Sequence, residues 1–349
     1  MNKIIKSPAC TSLFAVVTAA ALTSVFMASA EAQPQQDVII AYNLPEHHAT
    51  GTYFEVLAEE IAERTESTSV QLIPRTFPDG QLYNDQQLPD AISTGAAHIG
   101  QINLGFMAGP NAEPLRIWAL PLLYETWEAE WAAEDSPAFR EVFQKQLLTY
   151  DQTLLGWPAY GTVEIYTNEP FRTPDDVKGL RVRSFGLDTT EFLHNIGASP
   201  VSMSSQEIYQ AMQRGTIDGY VTGPSSVLSR SLHEVSKYGT NIALNRIPFI
   251  ASANTSWWNG LPEDVQSAIR EASAVAQKAS RSQAKKDAAA ELEELRELGM
   301  EIHDPTAEEL ALWSEAAVSR QKAYAETVGE QAKEMLEAVE KANEEYPSN

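Results

Sequence analysis

Between Gly179 and Pro224 the chain reads as strand, helix, strand, helix and strand within 46 residues, and few folds accept that rhythm. Leu180 to Arg183 reads as a strand, broken by Ser184, Phe185 and Gly186. Thr189 to Ile196 has the spacing of a short helix stopped by Gly197, and Pro200 to Ser202 is a second strand. Ser204 and Glu207 form an S-x-x-E capping box for a helix over Ser205–Arg214, which Gly215 closes before a strand at Ile217–Val221. Strands that alternate with helices pair in parallel and are covered by those helices. By the two-residue period Leu180 and Val182 share one face, and Arg181 and Arg183 the other. Arg183 therefore stands at the carboxyl end of its strand, the end that faces the ligand crevice in open α/β sheets.

The same rhythm runs through the rest of the chain. Asp37–Tyr42, Ser69–Ile73 (closed by Pro74) and His98–Asn103 read as strands, with helices over Thr50–Arg64 and Asp85–Thr94 between them. An acidic, Trp-rich helical region covers Glu125–Leu148, and a further strand covers Leu154–Tyr160. Val163–Thr167 enters a second lobe, and Leu244–Asn254 reads as a strand crossing back to the first. Pro262 then opens an apolar-periodic run that lasts until Gly299. Some 36 residues at 1.5 Å each give a helix of roughly 54 Å, longer than one small domain and suited to bracing two. A short strand over Met300–Asp304 and acidic helices over Thr306–Tyr346 follow. The fold expected is α/β and two-lobed, each lobe a mainly parallel sheet flanked by helices. Residues 31–160 form the first lobe, with about 248–285 returning to it. Residues 161–247 form the second, with about 290–349 packed on it.

Composition narrows the setting. Lys3, Lys6, the uncharged run Leu13–Met27 and Ala28-Ser29-Ala30 have the pattern of an export leader over residues 1–30. The alternative, a membrane anchor, is disfavoured by the short, Thr- and Ser-diluted run. Cys10 is the single cysteine and lies inside that leader, so disulfides do not hold the exported chain together. Without residues 1–30 the chain carries 23 basic and 48 acidic side chains, a net of −25. That field argues against nucleic acid and anionic membranes as partners.

No G-x-S-x-G elbow, G-x-G-x-x-G, P-loop or H-E-x-x-H occurs, and a chain without cysteine beyond its leader has no thiol nucleophile. His47-His48 admits a metal-pair reading, against a solvated or ligand-facing loop; adjacent histidines rarely meet one ion. Asp175-Asp176 reads as the decorated start of a helix. Nothing here assembles a catalytic site, a cofactor site or a metal site. Polar groups at strand ends are better placed: Asn43, Asn103 and Arg183 converge on one crevice if the lobes face each other. Taken singly, Arg183 reads equally as half of a structural ion pair with Asp218 or Glu164, and each Asn as a turn residue.

At these residues the chain resembles the extracytoplasmic solute-binding proteins of TRAP transporters, the DctP-like family. The match is most specific at KGLRVRS and GASPVSMSSQEIYQAMQRGTIDG, with PDGQL (Pro78–Leu82) and Leu120-Pro121 as weaker echoes. The resemblance implies two lobes that close on a ligand carboxylate paired with Arg183, whose planar guanidinium offers two parallel charge-assisted bonds. It places Asn43, Asp85 and Asn103 among the polar pocket residues, and Thr222 near an asparagine that often follows the D-G pair. It implies TRAP permease subunits as partners and a periplasmic location. Two departures stand out. Many relatives carry a second arginine where this chain has Val163 and Glu164, and a bulky aromatic where it has Ser204, Ser205 and Gln206. Glu164 and Ser205 are therefore expected to shape the ligand, with Glu164 meeting a cationic or hydroxyl-rich part of a zwitterion or sugar acid or, alternatively, pointing into solvent. The remaining alternatives are an exported hydrolase and a sensor or ABC-type binding protein of similar architecture.

Overall fold

The structure, a computed structural model, describes residues 33–348; the leader expected over residues 1–30, Cys10 with it, lies outside the described residues. In chain order the strands are β1 (Gln35–Ala41), β2 (Gln71–Phe77), β3 (Ile99–Ile102), β4 (Gln152–Gly156), β5 (Ala159–Thr167), β6 (Arg181–Ser184), β7 (Ser199–Ser202), β8 (Gly219–Thr222), β9 (Tyr238–Thr240), β10 (Asn245–Pro248), β11 (Ile250–Asn254) and β12 (Glu301–His303). The helices are α1 (Ala49–Thr65), α2 (Leu88–Ser93), α3 (Trp127–Glu134), α4 (Pro137–Leu148), α5 (Leu187–Asn195), α6 (Ile208–Gln213), α7 (Pro224–Ser229), α8 (Thr255–Gly260), α9 (Glu263–Glu297), α10 (Ala307–Val328) and α11 (Glu330–Glu345). Short 3-10 turns fill Leu104–Ala119, Pro174–Val177 and Ser205–Glu207.

Two sheets result, ordered β2-β1-β3-β11-β4 and β12-β9-β5-β8-β6-β7, with β10 paired to β5. Helices flank both, as expected for two α/β lobes. The expectation of mainly parallel sheets is corrected: both are mixed. In the first, β1 pairs parallel with β2 and β3, whereas β11 runs antiparallel to β3 and β4. In the second, β6 is parallel to β7 and β8, but β5 is antiparallel to β8, β9 and β10. The reason is connectivity: the chain crosses between lobes at β4–β5 and again at β10–β11, and a strand arriving from the other lobe enters against the local direction.

Several boundaries move for local reasons. Pro74 does not close its strand; β2 is an edge strand, where a missing N–H on the open side costs no ladder bond. The strand expected over Leu244–Asn254 splits at Phe249 into two, one for each lobe. Ser136-Pro137 splits the Trp-rich helical region, with Ser136 accepting from the Phe139 N–H as the cap of α4. The Ser204–Glu207 capping box is present and opens α6 through a 3-10 turn.

Helix α9, at 35 residues about 52 Å long, lies against α1 and β4 in one lobe and α7 and β12 in the other. Its buried side chains are branched near the ends (Val265 and Ile269, then Leu292 and Leu295). In between, from Ala272 to Ala284, those buried are alanine, serine and glutamine. The polar ones serve the crossing chain between β4 and β5. Ser273 Oγ donates to the Leu155 carbonyl, Gln277 Oε1 accepts from the Trp157 N–H, and Ser280 Oγ accepts from the Ala159 N–H, each at 2.9 Å. These 3- and 4-residue spacings keep all three on one helix face. The crossing leaves the sheet ladders, and α9 supplies its missing hydrogen-bond partners.

Three large buried clusters hold the chain. One lies between the first sheet, α1 and α9; one lies in the second lobe around Ile208, Tyr220 and Leu295; the largest runs from Ile92 and Trp118 through Trp157 to Phe192 and Val221. The C-terminal helices do not stay on the second lobe as expected. Helix α10 packs on α5, but α11 packs on α3 and α4, where Met335, Val339 and Ala342 join the largest cluster. Its apolar stripe requires a partner, and α3 and α4 offer one. Among the described residues no helix is long and apolar enough to cross a membrane.

Candidate functional site

The carboxyl ends of β1, β3, β6 and β8 point into one crevice between the lobes, and the loops that leave them line a cavity of about 30 Å³. Asn43, Leu44, Asp85 and Asn103 reach it from the first lobe. Arg183, Phe185, Ser205, Thr222 and Ser226 reach it from the second, and Tyr160, Val163, Ile247 and Phe249 from the crossing strands.

Arg183 is the centre of this cavity. Its residue surface is 2% exposed. Nε donates to the Met203 carbonyl at 3.1 Å and Nη1 to the Val221 carbonyl at 2.9 Å, which fixes the guanidinium against the ends of β7 and β8. Its closest carboxylate oxygen is Asp85 Oδ2, 3.8 Å from Nη2, beyond hydrogen-bond range. Burial pulls this guanidinium down to about 10, against the opposing attraction of Asp85. The structural ion pair with Asp218 or Glu164 is not formed. Asp218 binds Arg181, the outward arginine two residues earlier, through a bidentate pair.

The polar neighbours are tied across the cleft. Asn43 Nδ2 donates to Ser205 Oγ at 3.2 Å, and the Ser205 N–H donates to Asp85 Oδ2 at 3.1 Å. Arg230 Nη2 holds the Asn43 carbonyl at 2.8 Å, and Gln206 Nε2 the Asp79 carbonyl at 2.9 Å. Asn103 lines the cavity while its Oδ1 accepts from the Gly105 N–H, so it is also the turn residue its type suggests. Thr222 Oγ1 sits 3.2 Å from the Tyr160 hydroxyl, which donates to Ser226 Oγ. At the rim the backbones of the two lobes touch: a Cβ on Gly105 would lie 2.4 Å from the Phe185 carbonyl oxygen, and one on Gly186 2.4 Å from Gly105 Cα. The cleft is closed.

Of the expected ligand residues, Arg183, Asn43, Asn103, Asp85, Thr222 and Ser205 are thus brought together, and Glu164 is not. Both expectations for it are corrected: Glu164 meets neither the cavity nor solvent. Val163 faces the cavity, so strand alternation turns Glu164 to the opposite side, where its carboxylate accepts from the Ile242 and Ala243 N–H groups at 3.0–3.1 Å. Burial pushes that carboxyl up to about 8, against those donors. A loop with two unpaired N–H groups needs an acceptor, and Glu164 is it.

Sequence reasoning missed Tyr160, Phe185, Ile247 and Phe249. Phe185 comes two residues after Arg183 and its ring centre lies 5.8 Å from the guanidinium carbon, a signal available in the break after KGLRVRS. Tyr160 needs the structure. Opposite Ile247 and Pro248, β5 carries one residue more than β10, and this bulge at Tyr160 re-aims the chain so that Tyr160 and Val163, three apart, both reach the cavity. His48 was read as half of a metal pair or as loop. Its Nδ1 accepts from the Thr50 N–H as the N-cap of α1, which leaves the proton on Nε2, 2.9 Å from Ser225 Oγ across the cleft. Burial, with Arg230 and His47 adding to it, pulls this imidazole down to about 3. Among the described residues no group of three or more His, Cys, Asp or Glu side chains is disposed to hold a metal ion.

The chain is similar to the C4-dicarboxylate-binding periplasmic protein DctP of Rhodobacter capsulatus, at 28% identity over 338 residues, 95% of this chain and 98% of that one. Its fold matches a TRAP periplasmic solute-binding protein of Anaerococcus prevotii solved with bound D-glucuronate, with a TM-score of 0.83 at 23% identity over 90% of this chain and all of that one. It also matches an extracytoplasmic solute receptor of Bordetella pertussis binding pyroglutamic acid, with a TM-score of 0.80 at 18% identity over 87% and 99% of the two chains. The model of one family, described as bacterial extracellular solute-binding protein, family 7, covers residues 40–331. This chain therefore belongs to the DctP family, whose members bind solutes and do not transform them.

Proposed function

We propose that the protein captures a small organic acid in the cleft between its lobes, holds its carboxylate on Arg183, and delivers the closed complex to a TRAP-type membrane permease. The observation that carries this reading is the state of Arg183: buried, fixed by two main-chain carbonyls, and without a carboxylate at hydrogen-bond distance. A buried cation whose carboxylate neighbour, Asp85, stands 3.8 Å off is only partly compensated until a closer anion arrives. The Nη edge left over after Nε and Nη1 bind carbonyls is the edge that can meet two carboxylate oxygens. Asn43, Asp85, Asn103, Ser205 and Thr222 then contact the remainder of the ligand. Closure excludes water and brings together the two lobe surfaces that a permease reads. The leader pattern over residues 1–30 supports a periplasmic setting for this work, after cleavage.

The test is thermal unfolding of the protein against a library of carboxylic acids. A ligand at a hundred times its Kd stabilises the folded state by about 2.7 kcal/mol, and Arg183→Ala removes that shift. Failure of every acid to raise the midpoint, or a shift that survives in Arg183→Ala, overturns the reading.

A further inference from the structure

Two acceptor atoms in the cavity have no partner. Asn43 Oδ1 and Asp85 Oδ1 are buried and hydrogen-bond to nothing in the protein. Their orientations are set from behind: Asn43 spends its Nδ2 on Ser205 Oγ, and Asp85 spends its Oδ2 on the Ser205 N–H. Both free oxygens therefore face the cavity that Arg183 shares. The rest of the wall near them is apolar, with Leu44, Val163, Phe185, Ile247 and Phe249, and among the described residues lining it Arg183 is the one cation.

We infer that Asp85, with Asn43, is the specificity-determining residue of this site, selecting a monocarboxylate that carries hydroxyl or N–H donors and rejecting dicarboxylates. This rests on the reading of Arg183 as the carboxylate anchor. One carboxylate satisfies the guanidinium. A second one would face Asp85 Oδ1, so that three carboxylates share a buried space in which, among the described residues, Arg183 is the one cation. A hydroxyl or lactam N–H at the same place fills the two unmet acceptors. A pocket built to hydrogen-bond such a donor discriminates strongly against an analogue that lacks it, because the buried acceptors are then left bare. Ser205 acts through Asp85 and Asn43 as a positioning residue: its N–H and Oγ take one polar atom of each and turn the other inward. A dicarboxylate carrier is thus not what this cavity describes, although a relative bears that name.

Asp85→Asn gives the inference a test with opposite signs. The Ser205 N–H still demands an acceptor, so the new amide keeps its oxygen there and turns its NH2 into the cavity, exchanging acceptor for donor. Calorimetric titrations at pH 7.5 use succinate, D-glucuronate and L-pyroglutamate as probes. In the natural protein, at least one of the two donor-bearing acids binds at least a hundredfold tighter than succinate. In Asp85→Asn that acid weakens at least tenfold while succinate tightens. A merely structural role for Asp85 would weaken all three together. Asp85→Ala, which removes the carboxylate without adding a donor, supplies the second variant and narrows the same ratio at least tenfold. Succinate binding as tightly as the other probes, or a ratio unmoved by either variant, overturns the inference and leaves the Arg183 reading intact. Absence of binding by all three probes overturns the inference; binding that survives Arg183→Ala fails the carboxylate anchor itself.

Discussion

Arg183 and Asp188 stand five residues apart, both buried where the lobes meet, and the protein treats them in opposite ways. Asp188 is surrounded. Arg116 Nε lies 3.0–3.1 Å from both of its oxygens, Arg320 reaches it from α10, and Glu191 and Glu113 balance the two arginines in turn. Arg183 has only main-chain carbonyls and a carboxylate held too far off. A buried charge that is fully met belongs to the architecture, because it ties three segments distant in sequence into one. A buried charge that is left unmet is a vacancy of charge, and in a cleft of this family it is the place a ligand takes. Burial alone does not tell the two apart; the inventory of partners does.

The contrast can be broken by experiment, beginning with the largest effect. Asp188→Ala takes from two buried arginines the buried one of the two carboxylates they share and costs about 3–5 kcal/mol of unfolding free energy in urea titrations. A loss below about 1 kcal/mol would mean the network holds nothing together. Arg183→Met costs less: ligand-free stability changes by no more than about 1 kcal/mol, because the charge removed meets its carboxylate neighbour, Asp85, only at 3.8 Å. The binding free energy meanwhile falls by about 2–3 kcal/mol or more. Equal loss of stability in both variants would erase the distinction.

Gly105→Ala addresses the same cleft without touching the cavity. The new Cβ meets the Phe185 carbonyl in the closed form, and overpacking of this kind costs about 1–3 kcal/mol. The expected reading is weaker ligand binding at unchanged ligand-free stability. Next in size is pH. Closed, His48 is held neutral and its pKa lies near 3; open, the ring regains an ordinary value of about 6.5. Closure therefore draws its full advantage above about pH 6.5 and loses it as the pH falls, since the open form then takes a proton the closed form refuses. Protonation also takes Nδ1 away from the Thr50 N–H and sets a cation beside Arg230 and His47. Affinity at pH 5.5 is expected to be about tenfold lower than at pH 7.5, and His48→Gln flattens that slope. Arg181→Ala closes the series: its pair with Asp218 is on the surface, and the unfolding midpoint stays within measurement error.

Much of this could be read in the residues themselves. The strand and helix rhythm, the capping box at Ser204 and Glu207, the long helix and the placing of Arg183, Asn43 and Asn103 at strand ends depend on periods and caps that act over a few residues. What escaped depends on distant partners. Glu164 looked like a ligand group because it stands where many relatives carry an arginine; its carboxylate serves two N–H groups 78 and 79 residues away. Mixed sheets follow from where the chain crosses between lobes, and Tyr160 reaches the cavity through a bulge defined by β10. Asp85 was placed in the pocket by resemblance. That one of its oxygens is free, and why, depends on Ser205, 120 residues later.

From the end of β4 to the start of β5 the chain is hydrogen-bonded to α9 through Ser273, Gln277 and Ser280. Those three bonds are individually weak, and on the α9 side they involve only serine and glutamine. The protein can therefore spend its opening and closing on one small energy scale while its folding rests on another, much larger one. The amide hydrogens of Trp157 and Ala159 would then exchange with solvent deuterium at the rate of breathing at this crossing, long before the ladders on either side of them let go.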